Sequence, residues 1–151
     1  TGELLLKVVK YQPFLIKPNN HELGEVFGVV LNGREDIIFY AKRLQEMGAR
    51  NVLVSMAGDG AVLVDENGDI HEMKPPKGVV KNSVGAGDSM VAGFLTGYLK
   101  NQDLQEAFEM GVVTGSATAF SDTLATREEV SKLFEQLKEI KTKGEEKNAN
   151  Y

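Results

Sequence analysis

The segment Asn51-Val-Leu-Val-Ser-Met56 most narrows what this chain can become. Its apolar residues are consecutive, so a strand built from them carries apolar side chains on both faces. Both faces then need cover, and helices supply it in an α/β fold. Ala61 to Asp65 and Asp69 to Lys74 follow, flanking Glu66-Asn67-Gly68. An Asn-Gly pair between two strand-like runs predicts a hairpin. Pro13-Phe14-Leu15-Ile16, stopped by Pro18, predicts a further strand over 12–16. The strands at 12–16 and 51–56 belong inside the sheet. The hairpin, with Asp69, His71 and Lys74, belongs nearer its edge.

Helical signals surround these strands. Gly2 to Lys10 is amphipathic. Asn19 or Asn20 can cap a helix running to Phe27, with Glu22 at capping-box spacing from Asn19. Asn32-Gly33-Arg34-Glu35 repeats the start signal, and Ile37, Ile38, Ala41 and Leu44 then share one face until Gly48. Pro75, Pro76 and Gly78 form a connector, with Val79-Val80 a candidate extended segment. Three helices follow: Asp88 to Leu99, Asp103 to Phe120, and one capped by Thr126 with Glu129 that buries Val130, Leu133, Phe134 and Leu137. Residues 141–151 are polar and expected to fray. The order α-β-α-α-β-β-β-α-α-α predicts a mixed sheet covered by helices. Without an internal repeat or interdomain linker, residues 1–140 are expected to form part of one domain.

Composition removes several function classes. Seventeen Lys and Arg against 22 Asp and Glu give a net charge of −5, a poor match to nucleic acid. The absence of cysteine excludes disulfides, thiolate metal sites and cysteine nucleophiles. His21 and His71 lie too far apart to suggest a histidine zinc motif. No apolar run reaches the roughly 20 residues of a membrane span, and no signal peptide opens the chain. A cytoplasmic protein without a membrane or nucleic-acid partner is the expectation.

Glycine is the outlier, with 16 residues. Asn82-Ser83-Val84-Gly85-Ala86-Gly87-Asp88 runs straight into the helical pattern Ser89 to Phe94. Backbone N–H groups at such a helix start are unpaired and can receive an anion. Gly85 and Gly87 let it approach without a Cβ in the way. The dinucleotide fingerprint fails, because Met90 stands where its third glycine belongs, and Gly-Lys-Ser/Thr occurs nowhere. Asp88 discriminates further. A carboxylate beside a phosphate is repulsive unless it has a task, and one task is to accept the proton of an attacking alcohol. The simpler alternative is that Asp88 caps the helix and the glycines make the turn.

Asn82 to Phe94 (NSVGAGDSMVAGF) resembles the C-terminal signature of the PfkB, or ribokinase-like, carbohydrate kinases. Its wording is closest to their 1-phosphofructokinase and tagatose-6-phosphate kinase branch, and the similarity extends from Lys17-Pro18-Asn19 to the last helix. The resemblance implies a ribokinase-like three-layer α/β/α fold. It also implies that this is the C-terminal part of a longer kinase, without the N-terminal sugar site and β-lid. It makes Asp88 the catalytic base and the amides of Gly85, Ala86 and Gly87 an anion hole. Asn19 and Glu22 become an outer-shell Mg²⁺ site. The stretch Ser55, Ala57, Gly58 and Gly60 lies along ATP, with Ala57 standing where relatives commonly have glycine. Val112, Gly115 and Ser116 fall in the region that walls the adenine, although close helix packing explains the same small residues. Asn82 aligns with a monovalent-cation ligand, but as an amide in place of the usual acid. The implied acceptor is a sugar phosphate (fructose 1-phosphate or tagatose 6-phosphate), and the implied assembly is a homodimer formed through the lid. The alternatives are a kinase of another sugar or nucleoside in the same family, a nucleotide-binding domain without transfer, and a structural domain.

Overall fold

The structure, a computed structural model, describes residues 2–148. It divides into two compact units at the Pro75–Pro76 connector. Proline carries no N–H, so this dipeptide contributes no backbone donor to a ladder or helix.

The first unit contains α1 (Gly2–Val9), β1 (Leu15–Ile16), α2 (Asn20–Phe27), α3 (Arg34–Glu46), β2 (Asn51–Ser55), β3 (Ala61–Val64) and β4 (Ile70–Met73). The sheet order is β1-β2-β3-β4, with β1 parallel to β2 and the other neighbours antiparallel. The apolar character of β2 is explained by its burial: Val52, Leu53 and Val54 are inaccessible to solvent. Val52, Val54, Val62 and Val64 share a core with Ile37, Ala41 and Leu44 of α3. Each such side chain contributes about 1.5–3 kcal/mol by leaving water. Two expectations need correction. The strand foreseen over 12–16 is only Leu15–Ile16, and it lies at the edge of the described sheet, not inside it. Gln12 has a positive φ of 54° and Pro13 supplies no N–H, which delays the start of pairing. The hairpin is placed as expected, with β4 at the other edge. Its turn is held by Asp65, whose Oδ1 accepts the N–H groups of Asn67 and Asp69 at 2.9 and 3.0 Å.

The second unit contains α4 (Ala86–Asn101), α5 (Leu104–Phe120) and α6 (Arg127–Asn148). Asp103 caps α5 by accepting the Glu106 N–H at 2.7 Å. Thr126 and Glu129 form the expected box at the start of α6. Val130, Leu133, Phe134 and Leu137 are half-buried, not buried. Val79-Val80 forms no strand and is exposed. The polar stretch from 141 continues α6 to Asn148, while residues 149–151 of the expected frayed tail lie outside the described residues. No described helix is long and apolar enough to cross a membrane.

Candidate active site

In the first unit, the parallel pair β1/β2 brings two separate sequence signals together. The Ser55 N–H donates to the Pro18 carbonyl at 3.2 Å, and Asn19 bridges Ser55 beyond the strand ends. Asn19 Oδ1 accepts the Glu22 N–H, and Glu22 Oε2 accepts the Asn19 N–H, both at 2.8 Å. The capping box is therefore real and uses one acceptor oxygen from each side chain. Glu22 Oε1 and the Asn19 amide nitrogen have no hydrogen-bond partner among the described residues. No cluster of three His, Cys, Asp or Glu that could hold a metal occurs among the described residues. This donor set does not make an all-protein Mg²⁺ cage. It fits contact with waters that a Mg²⁺ ion retains.

The loop after β2 is a single turn of 3₁₀ helix, Ala57–Asp59. Ala57 adopts a left-handed φ of 47°, a conformation that disfavours residues with a Cβ. An alanine at this position therefore carries backbone strain that a glycine would not. Gly60 has φ 95°, and a Cβ there would overlap the Met73 carbonyl oxygen, so the glycine is required by close approach of β4. Gly58 has open space around its Cβ position. Ser55 is half-buried and its hydroxyl has no partner among the described residues. The loop residues Met56 and Asp59 line a cavity of about 550 Å³ together with Arg34, Ile37, Val62 and Glu72. Glu72 pairs with Arg34 and raises the guanidinium pKa, hydrogen bonding being the larger cause.

In the second unit, the glycine loop begins with an Asx turn: Asn82 Oδ1 accepts the Val84 N–H at 3.0 Å. Its amide nitrogen reaches the Asp122 carbonyl at 3.4 Å. Asn82 therefore shapes the loop. Gly85 is the N-cap of α4, with φ 80° and no side-chain cap. A Cβ at Gly85 would lie 2.7 Å from Leu124 Cδ2, the movable end of an exposed side chain, so the left-handed conformation and not space is what calls for glycine. Asp88 sits in the first turn, not at the cap, and its exposed carboxylate has no hydrogen-bond partner among the described residues. The simple capping alternative for Asp88 does not describe this geometry.

The expected anion hole needs one correction. The Ala86 N–H donates to the Ser83 carbonyl at 3.2 Å, closing the loop onto itself. The amides of Gly85, Gly87 and Asp88 have no backbone partner among the described residues. Three donors at a helix start, with the positive end of the dipole behind them, suit an oxyanion.

The residues assigned to the adenine wall divide differently. Gly115 packs where a Cβ would lie 3.0 Å from the Ala86 carbonyl oxygen, and Val112 is 2% exposed. Gly93, Gly97 and Gly111 likewise leave no room for a Cβ between α4 and α5. Close helix packing accounts for Gly115, and burial removes the Val112 side chain from a ligand surface. Ser116 is half-buried.

The loop Ser121–Thr126 was not singled out in the sequence, yet Leu124 covers Gly85. Both ends of this loop are tied to Glu129, whose carboxylate accepts the Thr126 N–H at 2.7 Å and the Ser121 hydroxyl at 3.0 Å. These bonds, the Thr126 N–H first, hold Glu129 below the usual carboxylate range. The Thr126/Glu129 spacing was the one available sequence signal for the loop's position.

The mixed sheet, its helical cover and the glycine loop at the start of α4 place the fold among the ribokinase-like α/β kinases. Residues 2–138 match the pfkB family carbohydrate kinases, and the chain belongs to that family. It is 53% identical over 138 residues to 1-phosphofructokinase of Bacillus subtilis, covering 91% of this chain and 45% of that protein. D-tagatose-1-phosphate kinase of Bacillus licheniformis is 36% identical over 141 residues, covering 93% of this chain and 45% of that protein. Phosphofructokinase-2 of Escherichia coli, solved with substrates and products, superposes with a TM-score of 0.83 at 30% identity, covering 91% of this chain and 46% of that one. Arabidopsis thaliana ribokinase, solved with ribose and ATP, shares the fold at a TM-score of 0.73 and 22% identity, covering 89% of this chain and 43% of that one. The chain thus spans about half the length of the relatives it matches.

Proposed function

We propose that the complete gene product transfers the γ-phosphate of ATP to a hydroxyl of a sugar phosphate, with fructose 1-phosphate the favoured acceptor. The observation that carries the reading is the start of α4, where Gly85 and Gly87 amides with no backbone partner among the described residues share the first turn with an Asp88 carboxylate that has none there either. In this reading the acceptor oxygen attacks the γ-phosphorus as its proton passes to Asp88. The bond from the γ-phosphorus to the bridging oxygen breaks, and ADP leaves. The amides meet charge on the transferring group, which helps most in the transition state. Ser55, Ala57 and Gly58 border the nucleotide, with the glycine at position 60 setting the loop's course. Asn19 and Glu22 would hold waters of the Mg²⁺ that accompanies ATP, an ion that would offset the phosphate charge.

The acceptor follows from similarity to a protein named 1-phosphofructokinase at 53% identity. A ketose 1-phosphate related to tagatose is the second choice, since a D-tagatose-1-phosphate kinase is 36% identical. The test supplies γ-labelled ATP and Mg²⁺ with fructose 1-phosphate, fructose 6-phosphate, tagatose 1-phosphate, tagatose 6-phosphate and ribose in parallel. The expected result is rapid label transfer to fructose 1-phosphate. Transfer confined to another acceptor would move the substrate within the family, and ATP binding without transfer to any acceptor would overturn the reading.

A further inference from the structure

We propose that Thr118 is a positioning residue, which orients the Asp88 carboxylate by holding the first turn of α4 through Ser89. Thr118 lies near the end of α5 and is 1% exposed. A buried hydroxyl needs partners, and this one has two. It donates to Ser89 Oγ at 2.9 Å and accepts the Ala125 N–H at 3.1 Å. Ser89 adjoins Asp88, and its own N–H closes the first helical turn on the Gly85 carbonyl at 2.9 Å. One buried oxygen therefore links α5, the turn carrying Asp88, and the loop whose Leu124 covers Gly85. The other end of that loop is also fixed, because the Ser121 hydroxyl that Glu129 accepts also lies 2.9 Å from the Ala117 carbonyl oxygen.

The arrangement answers a need that the glycines create. Gly85 sits in a left-handed conformation and has no side chain with which to cap α4. The Asp88 carboxylate has no hydrogen bond among the described residues to fix its direction. The turn must take its orientation from elsewhere, and the Thr118–Ser89 bond is a direct side-chain tie between that turn and α5. Small displacements matter here, because misplacement of a reacting group by about 1 Å can cost about 10²-fold in rate.

This inference rests on the reading of Asp88 as base, and the experiment separates the two. In the complete gene product, kcat per ATP-binding site and KM for ATP are measured for Thr118→Val, Thr118→Ser, Ser89→Ala, the Val/Ala double variant and Asp88→Asn. Thr118→Val and Ser89→Ala should each lower kcat about tenfold, equivalent to about 1.4 kcal/mol, with KM for ATP nearly unchanged. Thr118→Ser keeps the hydroxyl and should recover the parental rate. The double variant should be no slower than Thr118→Val alone, because both substitutions remove the same Thr118–Ser89 bond. Where Thr118→Val does not fold, Ser89→Ala carries the test, since it leaves the bond from Ala125 to Thr118 in place. Parental kcat in Ser89→Ala beside a slow Asp88→Asn would overturn the positioning role alone. So would a Thr118→Ser variant as slow as Thr118→Val. A fast Asp88→Asn would remove the base reading and this inference with it.

Discussion

Two helices begin beside candidate chemistry, and they begin differently. α2 satisfies its own start: Asn19 and Glu22 exchange hydrogen bonds in a closed capping box. α4 begins at a left-handed glycine with no side-chain cap, leaving amides and a carboxylate that have no partner among the described residues. A Ser, Thr, Asn or Asp N-cap exceeds a glycine N-cap by only about a few tenths of a kcal/mol, so starting at Gly85 costs α4 little. The comparison suggests that an uncapped start can leave donors available for a ligand, whereas a capped start is chiefly structural. α2 can then contribute to ligand chemistry only through the atoms its box leaves over.

The largest expected effect comes from obstructing the open start. Gly87 is the second residue of α4, where valine fits the helix at a cost of under about 1 kcal/mol. Its side chain would stand beside the unpaired amides. Gly87→Val in the complete gene product should lower transfer by at least about 10²-fold, the scale of losing an oxyanion donor. Its melting temperature should move by only a few degrees. Near-normal turnover would show that α4's amides face no reacting group.

A smaller effect should come from the capped start. Glu22→Gln preserves the capping box, because glutamine also accepts the Asn19 N–H, but it removes the charge. If the leftover oxygen holds metal-bound water, the Mg²⁺ concentration for half-maximal rate should rise about tenfold. A magnesium titration identical to the parent's would leave Asn19 and Glu22 with the cap alone.

The smallest effect concerns the loop between β2 and β3. Ala57 holds a φ of 47°, so Ala57→Gly should relieve strain of about 1 kcal/mol, partly offset by chain entropy. Thermal unfolding should rise slightly with KM for ATP little changed. A marked loss of stability would mean that Ala57's methyl contributes packing the loop needs.

The legible parts of the fold were mostly local. Asn19 with Glu22 and Thr126 with Glu129 are three apart, within reach of one helical turn, and both pairs cap as their spacing implied, while Asp103 caps α5 through its side chain alone. The hairpin around Asn67-Gly68 follows from the same short-range chemistry. Contacts between distant residues were not legible. Gly111 and Gly115 showed small-residue spacing, but only the packed structure pairs them with Gly93 and Gly97 across two helices. Thr118 and Ser89 are 29 residues apart, and no sequence pattern joins them. The loop Asn82–Asp88 stood out as a loop, yet which amides remained open depended on a turn: Ala86 bonds back to Ser83, whereas Gly85 and Gly87 do not.

The most direct test of the open start is Asp88→Asn, measured for ATP affinity and for transfer in the same preparation of the complete gene product. Asparagine keeps the shape of the side chain and cannot take the proton. The account predicts an ATP dissociation constant close to the parent's and a transfer rate lower by at least about 10²-fold, the lower end for removal of a general base. A variant that transfers phosphate at the parental rate would contradict it.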